Sequence, residues 1–118
     1  MKTYKIWYRR EPSFQPDLTL TEEKVKRSHV LVREIEAVDL DDAYWKMQGE
    51  NWSPNGEARP LIQRLGLQHT SMSVGDVAES EGKFWQVDFC GWNPVLDYHS
   101  FILNHLRVRM GLYFSVPA

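Results

Sequence analysis

The side chains that most often do chemistry are few in this chain and show no familiar spacing. It has four histidines and a single cysteine, Cys90. No two histidines lie four residues apart and no Cys-x-x-Cys pair exists, so the ligand cluster that zinc needs is missing. A lone cysteine is usually a small buried side chain, and the Gly-x-Ser-x-Gly motif is absent. We therefore expect no metal, no cofactor and no catalytic residue.

Carboxylates are concentrated between residues 37 and 58, where five acidic side chains accompany one lysine. Asp39 has the position of a helix N-cap, and Asp41 and Asp42 suit the positive end of the helix dipole. Capping and solvation explain these carboxylates without acid–base catalysis. The alternative is an acidic decoy surface for a basic partner. Glycine-rich phosphate-binding loops are absent.

The loop at residues 50–60 is dense in polar groups and carries Trp52. Such a loop either binds something or is a packed connection in which Trp52 covers the core. A small enzyme of unrecognised type, centred on this loop and His69, is one alternative function. A deep pocket that holds His69 with a carboxylate would favour it.

Basic side chains on and after the first strand suggest a second alternative, a nucleic-acid-binding protein. The formal net charge of −2 argues against it, because such proteins usually carry a basic excess. Its candidate contacts are Lys5, Arg9, Arg10, Lys24, Lys26 and Arg27.

Aromatic residues are abundant, with five Trp, five Tyr and five Phe. Trp and Tyr are typical anchors of protein interfaces. A protein partner would therefore be held by some of these rings. The candidate anchors are Trp7, Tyr44, Trp45, Trp52 and Trp92.

The chain as a whole has the composition of one globular domain, residues 1–118, with 42% hydrophobic and 25% charged residues. No stretch approaches the ~18 apolar residues of a membrane span. With one cysteine and no signal-like start, we expect a soluble cytoplasmic protein.

The elements that must position these side chains follow from periodicity. Alternation predicts strands at 4–9 and 29–38, and apolar spacing predicts helices at 39–49 and 60–66, with a short helical turn at 21–26. A hairpin at 73–92 turns at Glu81-Gly82, with Trp85, Val87 and Phe89 facing the core. A C-terminal helix is expected at 95–109, and a last extended piece at 113–116.

These elements predict an α+β fold, a small antiparallel sheet of three to five strands with two or three helices packed mainly on one face. The first strand is short and aromatic, so we expect an exposed sheet edge that could form a homodimer.

The hairpin also carries a family resemblance. Residues 71–77 (SMSVGDV), 81–88 (EGKFWQVD) and 91–92 (GW) resemble the pattern of YodL-like domains, small modules of phage and plasmid proteins. The resemblance covers residues 71–92 and implies a mobile-element accessory protein. Together with the aromatic content, it leads us to expect a non-enzymatic, inhibitor-like module that binds a protein by surface occlusion.

Overall fold

A five-stranded antiparallel sheet organises residues 1–97, the part of the chain that this computed structural model describes. The strands are β1 (Lys2–Arg9), β2 (His29–Ala37), β3 (Val77–Ser80), β4 (Lys83–Asp88) and β5 (Gly91–Pro94). Their order in the sheet is β2-β1-β3-β4-β5. The helices are α1 (Glu22–Ser28), α2 (Leu40–Lys46), α3 (Gly49–Trp52) and α4 (Arg59–Arg64). The α+β prediction is confirmed, with one more helix than expected among the described residues.

Strand β1 shows the alternation that its sequence predicts. Tyr4, Ile6 and Tyr8 are buried on one face of the sheet, and Trp7 packs on the other. β1 pairs antiparallel with β2 on one side and with β3 on the other. The expectation that the first strand forms an exposed edge is therefore wrong, since β2 and β5 are the edges.

The helices divide unequally between the two faces of the sheet. α2 and α4 bury Ala43, Met47 and Ile62 in the same core as the β1 residues Tyr4, Ile6 and Tyr8. α1 covers the opposite face, where Val25 packs with Val77 and Phe84. Because both faces are covered, β4 buries Phe84 on one face and Val87 on the other. Of the residues predicted to face the core, Val87 is buried and Trp85 is half-buried, but the prediction is wrong for Phe89, which is exposed.

The hairpin turns at Glu81-Gly82, as predicted, with φ of 54° and 75° at the two residues. Positive φ at both central positions is typical of a type I′ turn, whose twist matches that of the flanking strands. The chain then turns again at 89–90, and β5 pairs with β4 immediately before the predicted 95–109 helix. Residues 95–97 are not helical, and Leu96 forms an isolated bridge with Thr21. The rest of the predicted 95–109 helix and the 113–116 piece lie outside the described residues.

Local capping sets the helix boundaries. Thr21 and Asp39 cap α1 and α2 by accepting from the amides of Lys24 and Asp42. Gly66, with φ of 71°, follows α4 as predicted. The sequence predicts one helix at 39–49 that ends at Gly49. In the structure α2 ends earlier, at Lys46, and Gly49 begins α3. Ser71 stabilises the N-terminus of α3, because its Oγ accepts a hydrogen bond from the Gly49 amide.

Candidate functional site

Helix α2 presents its outer side to solvent and its inner side to the core. Ala43 and the C-cap residue Met47 are fully buried, and the helical repeat therefore turns Trp45 away from the core and places Tyr44 at its edge. Tyr44 is 37% exposed and Trp45 is 61% exposed. The same repeat places Asp41 on the flank of the helix that carries Tyr44.

The flank of α2 that faces β5 is an aromatic corner. The rings of Tyr44 and Trp92 meet at 90° with their centroids 6.4 Å apart. The Trp92 indole Nε1 donates to Asp41 Oδ1 at 3.2 Å, which ties β5 to the start of α2. Two of the predicted anchors are thus held in a defined geometry beside a carboxylate.

Phe89 completes this corner, although the sequence pattern assigned it to the core. It lies in the β4–β5 turn and is 67% exposed. The predicted strand alternation extends one residue too far, because β4 ends at Asp88. Asp88 and Gly91, three apart, are the signal that was missed, because Asp at the first and Gly at the fourth position favour a type I turn.

The corner encloses a cavity of about 210 Å³, which we call the α2–β5 cleft. We use the name α2 face for the exposed rings of Tyr44, Trp45 and Phe89 together with the half-buried ring of Trp92. The residues that line the cleft are Asp41, Tyr44, Val87, Asp88, Phe89, Gly91 and Trp92.

Trp52 lies on the other flank of α2 and has a different role from Trp45. Its indole Nε1 donates to the Thr70 carbonyl at 3.1 Å, and its ring packs against the main core. The Arg33 guanidinium lies 5.1 Å from the ring centroid, within cation–π range. Both Trp45 and Trp52 line a second open cavity beside β2, but the contacts of Trp52 serve the fold.

Trp7 is separated from the other four predicted anchors. It packs on the opposite face of the sheet, against the cluster that contains Val25 and Phe84. Its indole Nε1 donates to Glu79 Oε1 at 3.1 Å. The structure therefore brings four of the five candidate anchors around α2 and places Trp7 elsewhere.

The basic residues proposed for nucleic-acid binding are partly engaged within the fold. Arg9 donates to Ser13 Oγ and the Gln15 carbonyl, and Lys24 forms a 2.7 Å salt bridge with Asp17. Partial burial alone would raise the pKa of Asp17, but hydrogen bonds from Lys24 and Thr19 outweigh it and lower the pKa to about 2. Lys5 pairs in register with Glu34 and Glu79. The exposed residues of the set are Lys5, Arg10, Lys26 and Arg27.

His69 does meet a carboxylate, but in a packed setting. Its Nε2 lies 2.9 Å from Asp76 Oδ2, and its ring stacks on Tyr8 with centroids 4.7 Å apart. Asp76 is only 1% exposed. The cavity at the 50–60 loop is lined by other residues, of which Arg59 is the single ionisable one. These contacts give the pair a structural role.

A second buried histidine makes stability depend on pH. His29 Nε2 lies 2.7 Å from the Gly75 carbonyl and Nδ1 lies 2.8 Å from Ser28 Oγ. Burial lowers the pKa of His29 below its usual value of 6.5, although its contact with Gly75 opposes this. The unfolded chain then binds the proton more readily, so the stabilisation is present above about pH 6.5 and is lost as pH falls toward the folded-state pKa.

We therefore expect the free energy of unfolding to fall on acidification from pH 7 to pH 5. The contribution of His29 has a slope of at most about 1.4 kcal/mol per pH unit, the limit for one proton. Urea titrations at several pH values should show a shallower dependence in His29→Gln, which keeps a donor for Gly75. An identical pH dependence in both proteins would contradict the assignment.

Residues 1–97 contain no group of three or more His, Cys, Asp or Glu side chains arranged to hold a metal ion. No helix in that range is long and apolar enough to cross a membrane. No family model, curated protein or solved structure matches this chain.

Proposed function

We propose that this chain is a non-enzymatic protein-binding module that occludes a partner surface with its α2 face. The observation that carries this proposal is the exposure of Tyr44 and Phe89, at 37% and 67%, around the half-buried Trp92, with Trp45, 61% exposed, next to Tyr44 along α2. Clustered exposed apolar side chains mark interaction sites in soluble proteins, and Trp and Tyr supply large contact areas at low cost in conformational entropy.

The charge around the α2 face favours a basic partner. Asp41 and Asp88 line the cleft of this surface, whereas Lys46 of α2 is already paired with Asp42 at 3.2 Å. Complementary charge steers association and suppresses wrong partners. The expected setting, a phage or plasmid accessory protein, rests on the sequence resemblance of residues 71–92, and the expected cytoplasmic location rests on the single cysteine.

The test compares capture of partners by matched surface variants. Immobilised wild type, Trp45→Ala and Phe14→Ala are exposed to lysate of cells that encode the protein, with and without nuclease treatment, and captured proteins are quantified by mass spectrometry. Phe14 is the control because it is 74% exposed and lies in the β1–α1 loop. We expect the specific partner to fall at least about tenfold with Trp45→Ala, as for an interface hot spot, and to stay unchanged with Phe14→Ala.

Two results would contradict the proposal. One is a captured set that is the same for all three proteins, since binding would then not use the α2 face. The other is capture that is lost on nuclease treatment, because it would indicate binding through nucleic acid by the basic side chains Arg10, Lys26 and Arg27.

A further inference from the structure

The α2–β5 cleft combines aromatic walls with carboxylates that lack a basic partner. Tyr44 and Trp92 stand perpendicular, and Phe89 is exposed beside them. Asp41 and Asp88 line the same cavity of about 210 Å³. Within residues 1–97, neither carboxylate forms a salt bridge with a lysine or arginine. The cleft is therefore negative and aromatic at once.

We infer that this cleft holds the ammonium group of a lysine side chain supplied by the bound protein. A cation is attracted to the faces of aromatic rings, most strongly to those of Trp, and more so where water is partly excluded. The two carboxylates add charge complementarity. The apolar stem of lysine can lie along the rings while its charged end reaches the carboxylates. The inference rests on the proposed protein-binding function and specifies what the α2 face recognises.

The hydrogen bonds already made by the carboxylates favour lysine over arginine. Asp41 Oδ1 accepts from Trp92 Nε1. Asp88 Oδ1 accepts from the Phe89 amide, and Oδ2 accepts from Asn93 Nδ2 at 2.7 Å. Neither carboxylate keeps both oxygens open for the planar fork of a guanidinium. An ammonium group can donate to single remaining lone pairs, because its three donors rotate freely.

The test titrates the whole protein with a small probe, so it needs no identified partner. Acetyl-Gly-Gly-Lys-Gly-Gly-amide is added to ¹⁵N-labelled protein at 0.15 M salt, where a Debye length of about 8 Å limits non-specific attraction. We expect saturable shifts of the Trp92 indole N–H and of the Phe89 and Gly91 amides. Analogue peptides with arginine or acetyl-lysine should bind at least about fivefold more weakly.

Two variants separate the cleft from the general acidity of this surface. Asp41→Asn removes one charge from the cleft and keeps an oxygen acceptor for Trp92. Asp39→Asn removes the same charge two residues away, and asparagine is an equally good N-cap. We expect about fivefold weaker binding of the lysine peptide for Asp41→Asn and less than a twofold change for Asp39→Asn.

Absence of shifts at the Trp92 indole, equal binding of the arginine peptide, or equal losses in the two variants would overturn the inference. These failures are distinct from failure of the proposed function. If the lysine peptide does not bind while Trp45→Ala still abolishes partner capture, the α2 face binds a protein without a lysine in the cleft. If the peptide binds but capture does not depend on Trp45, the protein-binding function fails and the cleft keeps its cation preference.

Discussion

Replacing Asp76 with alanine is expected to lower the free energy of unfolding by about 3–5 kcal/mol. Asp76 is 1% exposed and its carboxylate accepts three hydrogen bonds, from the Arg9 amide, the Ser73 amide and His69 Nε2. Alanine would leave these donors without their acceptor in a site that water does not reach. Because the donors belong to the end of β1 and to the segment before β3, their loss would loosen both.

Urea denaturation of Asp76→Ala and Asp76→Asn measures this effect and its origin. Asparagine keeps the shape and one oxygen acceptor, so we expect a smaller loss, about 1–2 kcal/mol. Equal losses in the two variants would mean that the negative charge, and not the set of acceptors, stabilises this region. A loss below about 1 kcal/mol in Asp76→Ala would contradict the structural role assigned to the carboxylate.

Asp76 also explains why residues 71–77 form a recognisable pattern. Gly75 has φ of 95°, and a Cβ there would lie 2.7 Å from the Arg9 guanidinium. The Asp76 carboxylate stabilises the turn by accepting a hydrogen bond from the Ser73 amide. The glycine and the aspartate of this pattern are needed to start β3, so the pattern describes how the chain folds. The proposed binding surface lies on α2 and β5 instead.

Local signals in the sequence predicted most of the framework. The alternation of β1, the N-cap Asp39 and the Glu81-Gly82 turn depend on neighbours within a few residues, and all three are confirmed. The pairing of His69 with Asp76 and its stacking on Tyr8 could not be predicted in this way. The Tyr8–His69 stacking joins residues more than sixty positions apart. His69 and Asp76 are seven positions apart, but they lie in an irregular segment whose path periodicity does not encode.

The binding surface was also predicted only in part, because residue type is read from the sequence but burial depends on contacts with distant segments. Tyr44, Trp45, Trp52 and Trp92 were candidate anchors by residue type, and the structure gathers them around α2. Type alone could not separate the exposed ring of Trp45 from that of Trp52, which bonds to a distant carbonyl.

The second large expected effect is a change in the free energy of unfolding, and it distinguishes Trp52 from Trp45. Trp52→Ala is expected to lower the free energy of unfolding by about 2–3 kcal/mol, below the full value for a buried tryptophan because the ring is only half-buried. The change removes the ring from the core, its hydrogen bond to Thr70 and its contact with Arg33. Trp45→Ala, in the same region of the surface, should change stability by no more than about 0.5 kcal/mol.

Urea denaturation of the two variants therefore decides how the capture experiment is interpreted. If Trp45→Ala is as stable as the wild type, its loss of partner binding reports a lost contact and not a damaged fold. Trp52→Ala would lose binding through altered support of α3 and β2, so it cannot define the interface. Should Trp52→Ala prove as stable as Trp45→Ala, the Trp52 ring is free for a partner, and the α2 face extends across the cavity beside β2.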